Sequence, residues 1–133
     1  MRNRPALELS DVTKMVAAAK AEAKKNGWDV AIAVVNDGGY ILHVERTEGT
    51  EGLSGEVAVQ KARTSALTKR PSKEREERIK ERPGIAGFPG NLLGLQGGLP
   101  IFHQEFCVGG IGVSGRPSHE DEIVATAGVA ALT

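Results

Sequence analysis

The chain has 133 residues, which predicts one domain over residues 1–133, and its 17 basic residues balance 17 acidic ones. This zero net charge argues against general binding to nucleic acid or to an anionic membrane, and a single cysteine excludes an intrachain disulfide or a multi-cysteine zinc site. Because no apolar run approaches the ~18 residues of a membrane span and no secretory signal opens the chain, we expect a cytoplasmic protein without a membrane partner.

The chain begins with a predicted helix and a predicted buried strand. Residues 9–26 repeat apolar side chains at helical spacing, with Ser10 as the expected N-cap and Gly27 as the stop signal. The positions expected to face the core are Val12, Met15, Val16, Ala19 and Ala23. Residues 28–36 alternate branched and small apolar side chains, so both faces are apolar and the strand is expected to be central.

A hairpin and a second helix are predicted next. The Asp-Gly-Gly sequence at 37–39 indicates a tight turn, after which 40–46 returns as a strand. One face of that strand is expected to carry Ile41, His43 and Glu45, and the other Tyr40, Leu42, Val44 and Arg46. Ser54 is the expected cap of a helix that runs to about Lys69 and presents a face of small residues suited to close approach to a sheet.

The second half of the chain predicts a further helix, a loop, a hairpin and a last helix. Mixed charges over 69–82 favour a solvated helix, and the Gly- and Leu-rich stretch 83–98 favours a packed surface loop. Residues 99–114 read as a hairpin turning near Gln104 and Glu105. The final helix is expected to open with a capping box of Ser118 and Asp121. This order predicts an α/β domain built around an antiparallel sheet.

Histidines and glycines supply further candidate site residues. His119 is expected to be solvated, whereas His43 and His103 lie in predicted strands, where each has either a structural role or a role in iron binding or proton transfer. Cys107 is expected to be a small buried residue. Residues 110–115 match a dinucleotide-binding glycine pattern, but too little chain follows for that fold, so the glycines indicate close approach of a backbone or a flat ligand.

Three basic residues have two open interpretations. Arg46 ends a predicted strand, Lys61 lies within the second helix, and Arg70 precedes the proline that interrupts that helix. They are either separate surface charges or an anion site that receives carboxylates or propionates.

Five segments, taken in order, resemble a known family. They are NDGGYILHVER, SGEVAVQKARTSA, KRPS, GGLPI and VGGIGVSGRPSHEDEIVATAG. Together they look like the GlcG/HbpS haem-degrading-domain family, whose domain also forms the C-terminal part of PduO-type proteins. The resemblance covers almost the whole chain.

The resemblance implies a profilin-like α/β (α+β) fold, with helices flanking an antiparallel sheet, and assembly into dimers or larger homo-oligomers. Relatives have been linked to haem or corrinoid binding, to haem degradation and to catabolic operons. Arg46, Lys61 and Arg70 fall on family motifs, as do Gly97 and Gly98, so these five become the ligand-binding candidates, with the glycines permitting a flat ligand to stack.

The haem ligand itself is not carried over directly from the family. Some relatives use a His of the N-terminal region, but the first helix of this chain has none. His43 or His103 is therefore the substitute iron ligand if haem is bound, and otherwise no cofactor is expected.

Three functions remain open from the sequence. The first is binding of haem or another anionic small ligand, with haem degradation as an extension. The second is a cofactor-independent hydrolase, deaminase or tautomerase acting on a small carboxylate metabolite, with Arg46 and Lys61 holding the carboxylate and His103, or Glu45 with His43, moving protons. The third is a structural oligomer without a ligand.

Overall fold

The computed structural model describes residues 1–133 and confirms an antiparallel sheet flanked by helices. The four strands lie in the order β2-β1-β4-β3. The elements are α1 (Leu9–Lys25), β1 (Ala31–Asn36), β2 (Ile41–Arg46), α2 (Leu53–Thr68), α3 (Ser72–Glu81), β3 (Gly98–His103), β4 (Phe106–Ser114) and α4 (Ser118–Ala130), with a 3-10 turn at Pro83–Gly87. No helix combines the length and the apolar character needed to cross a membrane.

The larger core lies between the sheet and the helix pair α1 and α4. All five apolar positions predicted for α1 are buried, which confirms the helical periodicity. Branched side chains of the central strands pack against them, namely Val30, Ile32, Val34, Ile111 and Val113. This face therefore has a conventional aliphatic core.

The opposite face packs against α2 through very small residues. Its core consists of Ala31, Ala33, Val35, Ala58, Ala62 and Ala66. A Cβ added to Gly110 or Gly112 would lie 2.2 or 2.1 Å from the carbonyl oxygen of Ala62 or Ala58, respectively. The glycines of β4 thus allow the backbone of α2 to touch the sheet, which is one of the two roles that the sequence left open for them.

The start of α1 differs from the prediction. Its N-cap is Glu8, and Glu8 and Asp11 form the capping box, so Ser10 lies inside the helix and the Ser10 cap is wrong. The physical reason is the packing of the preceding residue. Leu7 packs on the same core as Val12, and this pairing is typical of a hydrophobic staple that fixes where a helix begins.

Two other predicted caps are also wrong. Gly52 is the N-cap of α2, which places Ser54 within the first turn of the helix as a buried residue. Pro117 is the N-cap of α4, so Ser118 is the first helical residue and caps nothing. The carboxylate of Asp121 instead accepts a hydrogen bond from the backbone N–H of Arg116.

A β-bulge at Leu42 changes the faces predicted for β2. Val34 is paired with His43 but the next residue, Val35, is paired with Ile41, so Leu42 is the extra residue. Ile41 therefore lies on the α2 face with Val44 rather than beside His43. The expected grouping of Ile41 with His43 is wrong, whereas His43 and Glu45 keep a common face.

Candidate functional site

The first candidate cluster joins β2 to α1. Nε2 of His43 lies 2.8 Å from Oε1 of Glu45, and Nζ of Lys20 lies 3.0 Å from Oε2 of the same carboxylate. His43 and Glu45 are opposite Val34 and Ile32, whose side chains belong to the larger core, so the cluster is on the α1 side of the sheet. All three side chains remain partly exposed.

The charges of this cluster determine which ring nitrogen of His43 carries the hydrogen. Hydrogen bonds from Lys20 and His43 lower the pKa of the Glu45 carboxyl, which keeps it ionised at neutral pH. An ionised carboxylate only accepts hydrogen bonds, so Nε2 of His43 carries the hydrogen that it donates to Glu45. In the neutral ring Nδ1 then holds the lone pair, which suits it to accept a proton or to bind a metal.

A groove lies beside this cluster. It has a volume of about 640 Å³ and is formed by the second half of α1 and the segment between α1 and β1. Lys20 belongs both to the groove and to the cluster, and Lys24, Trp28, Asp29 and Thr47 also line the groove. A groove of this size lies within the range of small-molecule sites, and its wall combines an aromatic ring with two cations.

The second candidate site surrounds His103. A cavity of about 360 Å³ lies between the N-terminal segment, the first turns of α1, the end of the β3–β4 hairpin and the end of α4. His103 lines this cavity with Phe102 and Lys14, and its apolar wall includes Leu7, Val108 and Leu132. The ring of His103 is exposed, and no hydrogen bond or ion pair within the chain was found for it. Both ring nitrogens are accordingly open to a ligand.

Lys61 forms a buried ion pair, so its interpretation as a surface charge is wrong. Its Nζ lies 3.0 Å from Oδ2 of Asp121 and 2.9 Å from the carbonyl oxygen of Val113. Lys61 is 2% exposed and Asp121 is 1% exposed. Burial raises the pKa of the Asp121 carboxyl, while the Lys61 ammonium opposes this shift. The ammonium thus already holds an internal carboxylate and is screened from a free ligand.

Gly97 and Gly98 pack directly on Lys61. A Cβ on Gly97, whose φ is +130°, would lie 2.8 Å from Nζ of Lys61. A Cβ on Gly98 would lie 2.3 Å from the Lys61 carbonyl oxygen, and the hydroxyl of Ser72 accepts a 2.8 Å hydrogen bond from the N–H of Gly98. Both glycines are buried, so the structure gives them a packing role, and their contact with a ligand stays a prediction.

Arg46 and Arg70 do not converge with Lys61. Nη1 of Arg46 donates a 2.8 Å hydrogen bond to the carbonyl oxygen of Thr50. Nη1 of Arg70 lies 3.3 Å from Oε1 of Glu74 on an exposed helix surface. The three cations therefore contact separate partners rather than forming one anion site, and a ligand role for either arginine stays a prediction.

The remaining candidate residues are consistent with their simpler interpretations. His119 is exposed at the start of α4 and Cys107 is buried, which confirms both expectations. No cluster of three or more His, Cys, Asp or Glu side chains is arranged to hold a metal ion. A metal bound by one of the histidines would have to bring most of its own ligands, as the iron of a porphyrin does.

Sequence reasoning missed two charged partners, Lys20 and Asp121. Lys20 lies on the polar side of α1, and nothing in the local pattern indicates that it reaches Glu45 on β2. Asp121 had a usable signal, because Lys61 lies within the small-residue face of α2 and a lysine at such a position needs a buried carboxylate. Asp121 was instead assigned to a helix cap.

Comparison with known proteins identifies relatives that belong to one family. A model of the family described as haem degrading protein HbpS-like matches residues 7–130. Protein GlcG of Escherichia coli (strain K12) is 35% identical over 115 residues, which are 86% of this chain and 85% of GlcG. The family match runs through His43, His103 and the buried ion pair of Lys61 and Asp121.

Solved structures agree with the fold. A crystal structure of a double mutant of Streptomyces reticuli HbpS has a TM-score of 0.92 and 35% identity, covering 100% of this chain and 91% of that one. The crystal structure of a PduOC–haem complex has a TM-score of 0.87 and 24% identity, covering 96% and 95% of the two chains, and at that identity it supports the fold alone. With the family match extending over nearly the whole sequence, the chain belongs to the HbpS-like family, described as haem degrading proteins.

Proposed function

We propose that this protein binds haem and that His103 coordinates the iron. The observation that carries the proposal is an exposed imidazole, with no partner found within the chain, that lines a cavity with an aromatic ring, aliphatic side chains and a cation. Membership of a family described as haem degrading supports the same ligand.

The donor set around His103 fits a haem. Imidazole is a common axial ligand of haem iron, and Phe102 with Leu7 and Val108 offers an apolar surface for the macrocycle. Asp11 also lines the cavity, where Oδ2 of its carboxylate accepts a 2.9 Å hydrogen bond from the N–H of Glu8. Lys14 has no ion pair within the chain, so its ammonium is available to a propionate. Haem bound through one imidazole would supply an iron centre for oxygen or electron chemistry, while the residues named here bind and orient it.

The size of the cavity predicts how much of the ligand is enclosed. A volume of about 360 Å³ is near the lower end of the range for small-molecule sites. It accommodates one edge of a tetrapyrrole and leaves the remainder exposed.

The test is a haemin titration followed by absorbance, using the parent chain and three histidine variants. We expect a saturable Soret shift in the parent chain, its loss in His103→Ala, and its retention in His119→Ala, which removes an exposed histidine far from the cavity. If the Soret shift is lost in His43→Ala and retained in His103→Ala, His43 is the residue that coordinates the iron. A non-saturating shift that no variant changes would overturn haem binding.

A second function is supported by the hydrogen-bonded pair His43 and Glu45. With the carboxylate ionised and Nδ1 of His43 free, the pair has the arrangement of a general base, and the groove beside Lys20 offers space for a small carboxylate metabolite. In a screen of such metabolites, we expect any turnover to be lost in His43→Ala and kept in His119→Ala. Turnover unchanged in His43→Ala would exclude this pair from the reaction.

We also propose that copies of the chain associate through the β2 edge of the sheet. This edge exposes Tyr40, Ile41, Leu42 and Val44, all apolar or aromatic. Unpaired edges with apolar side chains favour pairing with another strand. Light scattering after gel filtration tests this: we expect Ile41→Lys to reduce the mass to that of a single chain, and Phe102→Lys on the β3 edge to leave it unchanged. A single-chain mass for the parent protein would refute the association.

A further inference from the structure

A polar cavity of about 460 Å³ lies between the β2–α2 loop, the start of α2, the segment that precedes β1 and the end of β4. We infer that it is a second ligand site, which binds a small amino carboxylate. Its polar lining includes Asp29, Thr50, Glu51, Ser54, Ser114 and Arg116. The site is separate from the haem proposal, because His103 and its cavity share no lining residue with it.

Two serines that line the cavity have hydroxyl groups available to a ligand. Ser54 and Ser114 are each 8% exposed, both line the cavity, and no side-chain hydrogen bond was found for either. By contrast, the hydroxyl of Ser72 is bonded to Gly98 and that of Thr64 to Leu93, while Oγ of Ser65, outside the cavity, is buried without a partner. Because both hydroxyls remain accessible at the cavity wall, a ligand that bonds both would gain two hydrogen bonds that no group of the chain already occupies.

The carboxylate of the ligand has favourable partners at the start of α2. The N-cap, Gly52, supplies no side-chain acceptor, so although the N–H of Ser54 donates to the carbonyl oxygen of Glu51 at 3.0 Å, the neighbouring amides of the first turn and the positive end of the helix dipole remain available. Arg116 lines the same cavity and uses only Nε, at 2.9 Å, to pair with Glu120. Its two terminal nitrogens have no hydrogen-bond partner in the chain, and a guanidinium edge of this kind suits a carboxylate.

The acidic side chains of the cavity disfavour a ligand that is a simple anion. Asp29 and Glu51 line it together with one cation, Arg116, which leaves an excess of one negative charge. Oδ1 of Asp29 accepts a 2.9 Å hydrogen bond from the hydroxyl of Thr47, whereas Oδ2 has no donor in the chain. A ligand that carries its own ammonium would pair with Oδ2 while its carboxylate meets Arg116.

The loop that closes the cavity is fitted around Asp29. A Cβ added to Gly49 would lie 2.2 Å from Oδ2 of Asp29, so only glycine lets the loop pass this close to the carboxylate. Asp29 and Gly27 also line the larger groove beside α1. The carboxylate of Asp29 thus stands between the two spaces, and both of its oxygens are positioned by neighbouring residues.

The test is a titration of ¹⁵N-labelled protein with L-alanine, followed by amide chemical shifts. Propionate, which lacks the ammonium, and ethylamine, which lacks the carboxylate, are the matched single-charge probes. We expect saturable shifts at the amides of 52–56 and of Arg116 with L-alanine, and an affinity at least about tenfold weaker for either single-charge probe. If propionate binds with the same affinity as L-alanine, the site recognises only an anion. If L-alanine causes no saturable shift, the cavity holds only water. Either result overturns the proposal.

Variants test the assignment of the ammonium to Asp29. Asp29→Asn keeps an oxygen to accept the Thr47 hydroxyl, so we expect it to fold and to bind L-alanine at least about tenfold more weakly. Glu48→Gln is the control, because Glu48 is an exposed acid of the same loop outside the cavity lining. The amide spectrum of each variant reports its folding directly. Unchanged affinity in a folded Asp29→Asn variant would contradict the inference.

Discussion

The two faces of the sheet are packed in different ways. Against α2, Gly110 and Gly112 bring backbone to within contact of Ala58 and Ala62, and the one charged group in that interior, Lys61, is tied to Asp121. Against α1 and α4, branched side chains fill a thicker core, and the cavities beside Lys20 and His103 open at its margins.

This difference in packing assigns rigidity to one face of the sheet and ligand binding to the margins of the other. Beneath β4 the α2 face leaves no volume into which a ligand or a larger side chain can fit. The α1 face is built from side chains that can be shortened or moved at lower cost, and both histidine sites adjoin it. We therefore expect changes on the α2 face beneath β4 to act on stability, and changes at the margins of the α1 face to act on binding.

The largest effect is expected from breaking the buried ion pair. Lys61→Met leaves the Asp121 carboxylate buried without its cation, which should lower the free energy of unfolding by about 3–5 kcal/mol. Urea unfolding measures this loss, with Lys80→Met as the control, since the exposed pair of Lys80 and Glu76 contributes less than about 1 kcal/mol. Adding Asp121→Asn to Lys61→Met should restore part of the stability. A loss as small as that of Lys80→Met would contradict the assigned role.

The close contact of α2 with β4 is tested by a single methyl group. The Cβ introduced by Gly112→Ala would lie 2.1 Å from the Ala58 carbonyl oxygen, so α2 must shift, at a cost of about 1–3 kcal/mol. Gly55→Ala places the same methyl group where no atom lies within 4 Å, and should stabilise the helix by about 0.5–1 kcal/mol. Opposite signs in thermal or urea unfolding are expected, and equal effects would show that α2 is free to move.

A smaller effect is expected on the other face. Ile111→Val removes one methylene from the core under α1 and α4 and should cost about 0.5–1.5 kcal/mol in unfolding free energy. Ile123→Val removes the same group from a side chain that is 46% exposed, and serves as the control with almost no change. A loss above about 3 kcal/mol for Ile111→Val would show that this face is as intolerant as the α2 face.

The smallest loss of stability is expected at Glu45, and it depends on pH. Because the pKa of Glu45 is lowered in the folded chain, its ionised form stabilises the fold above the ordinary value of about 4.3, and this stabilisation is lost as pH falls through the lowered folded-state pKa. We expect Glu45→Gln to cost about 0.2–1 kcal/mol at pH 7, because the site is partly exposed, and the cost to vanish in strong acid. Urea unfolding at both pH values checks this. If Glu45→Gln costs more stability in acid than at pH 7, the pKa of Glu45 is raised in the folded chain and not lowered.

Much of the fold follows from periodicity. The buried positions of α1 and the two apolar faces of β1 were predictable because each pattern depends on one element alone. The common face of His43 and Glu45 was predictable for the same reason. The small residues of α2 and β4 likewise indicated that these elements approach closely.

Features that depend on two distant segments were not predictable. The bulge at Leu42 has no glycine or proline to mark it, since it arises from the register between β1 and β2. Lys61 and Asp121 are 60 positions apart, and only the packing of α2 and α4 against the sheet brings them together. The cap of α1 depends on where Leu7 enters the core, which local propensity does not reveal.

The two edges of the sheet have unequal capacity for polymerisation. Pro100 in β3 has no N–H to donate, and the bulge between Ile101 and Phe102 further interrupts that edge. The β2 edge has no proline. In the dimer proposed through β2, both outer edges of the combined sheet would be β3 edges, which offer few backbone N–H groups for pairing with a further strand. With this asymmetry, pairing through the exposed apolar β2 strand would end at a dimer and would not continue into fibrils.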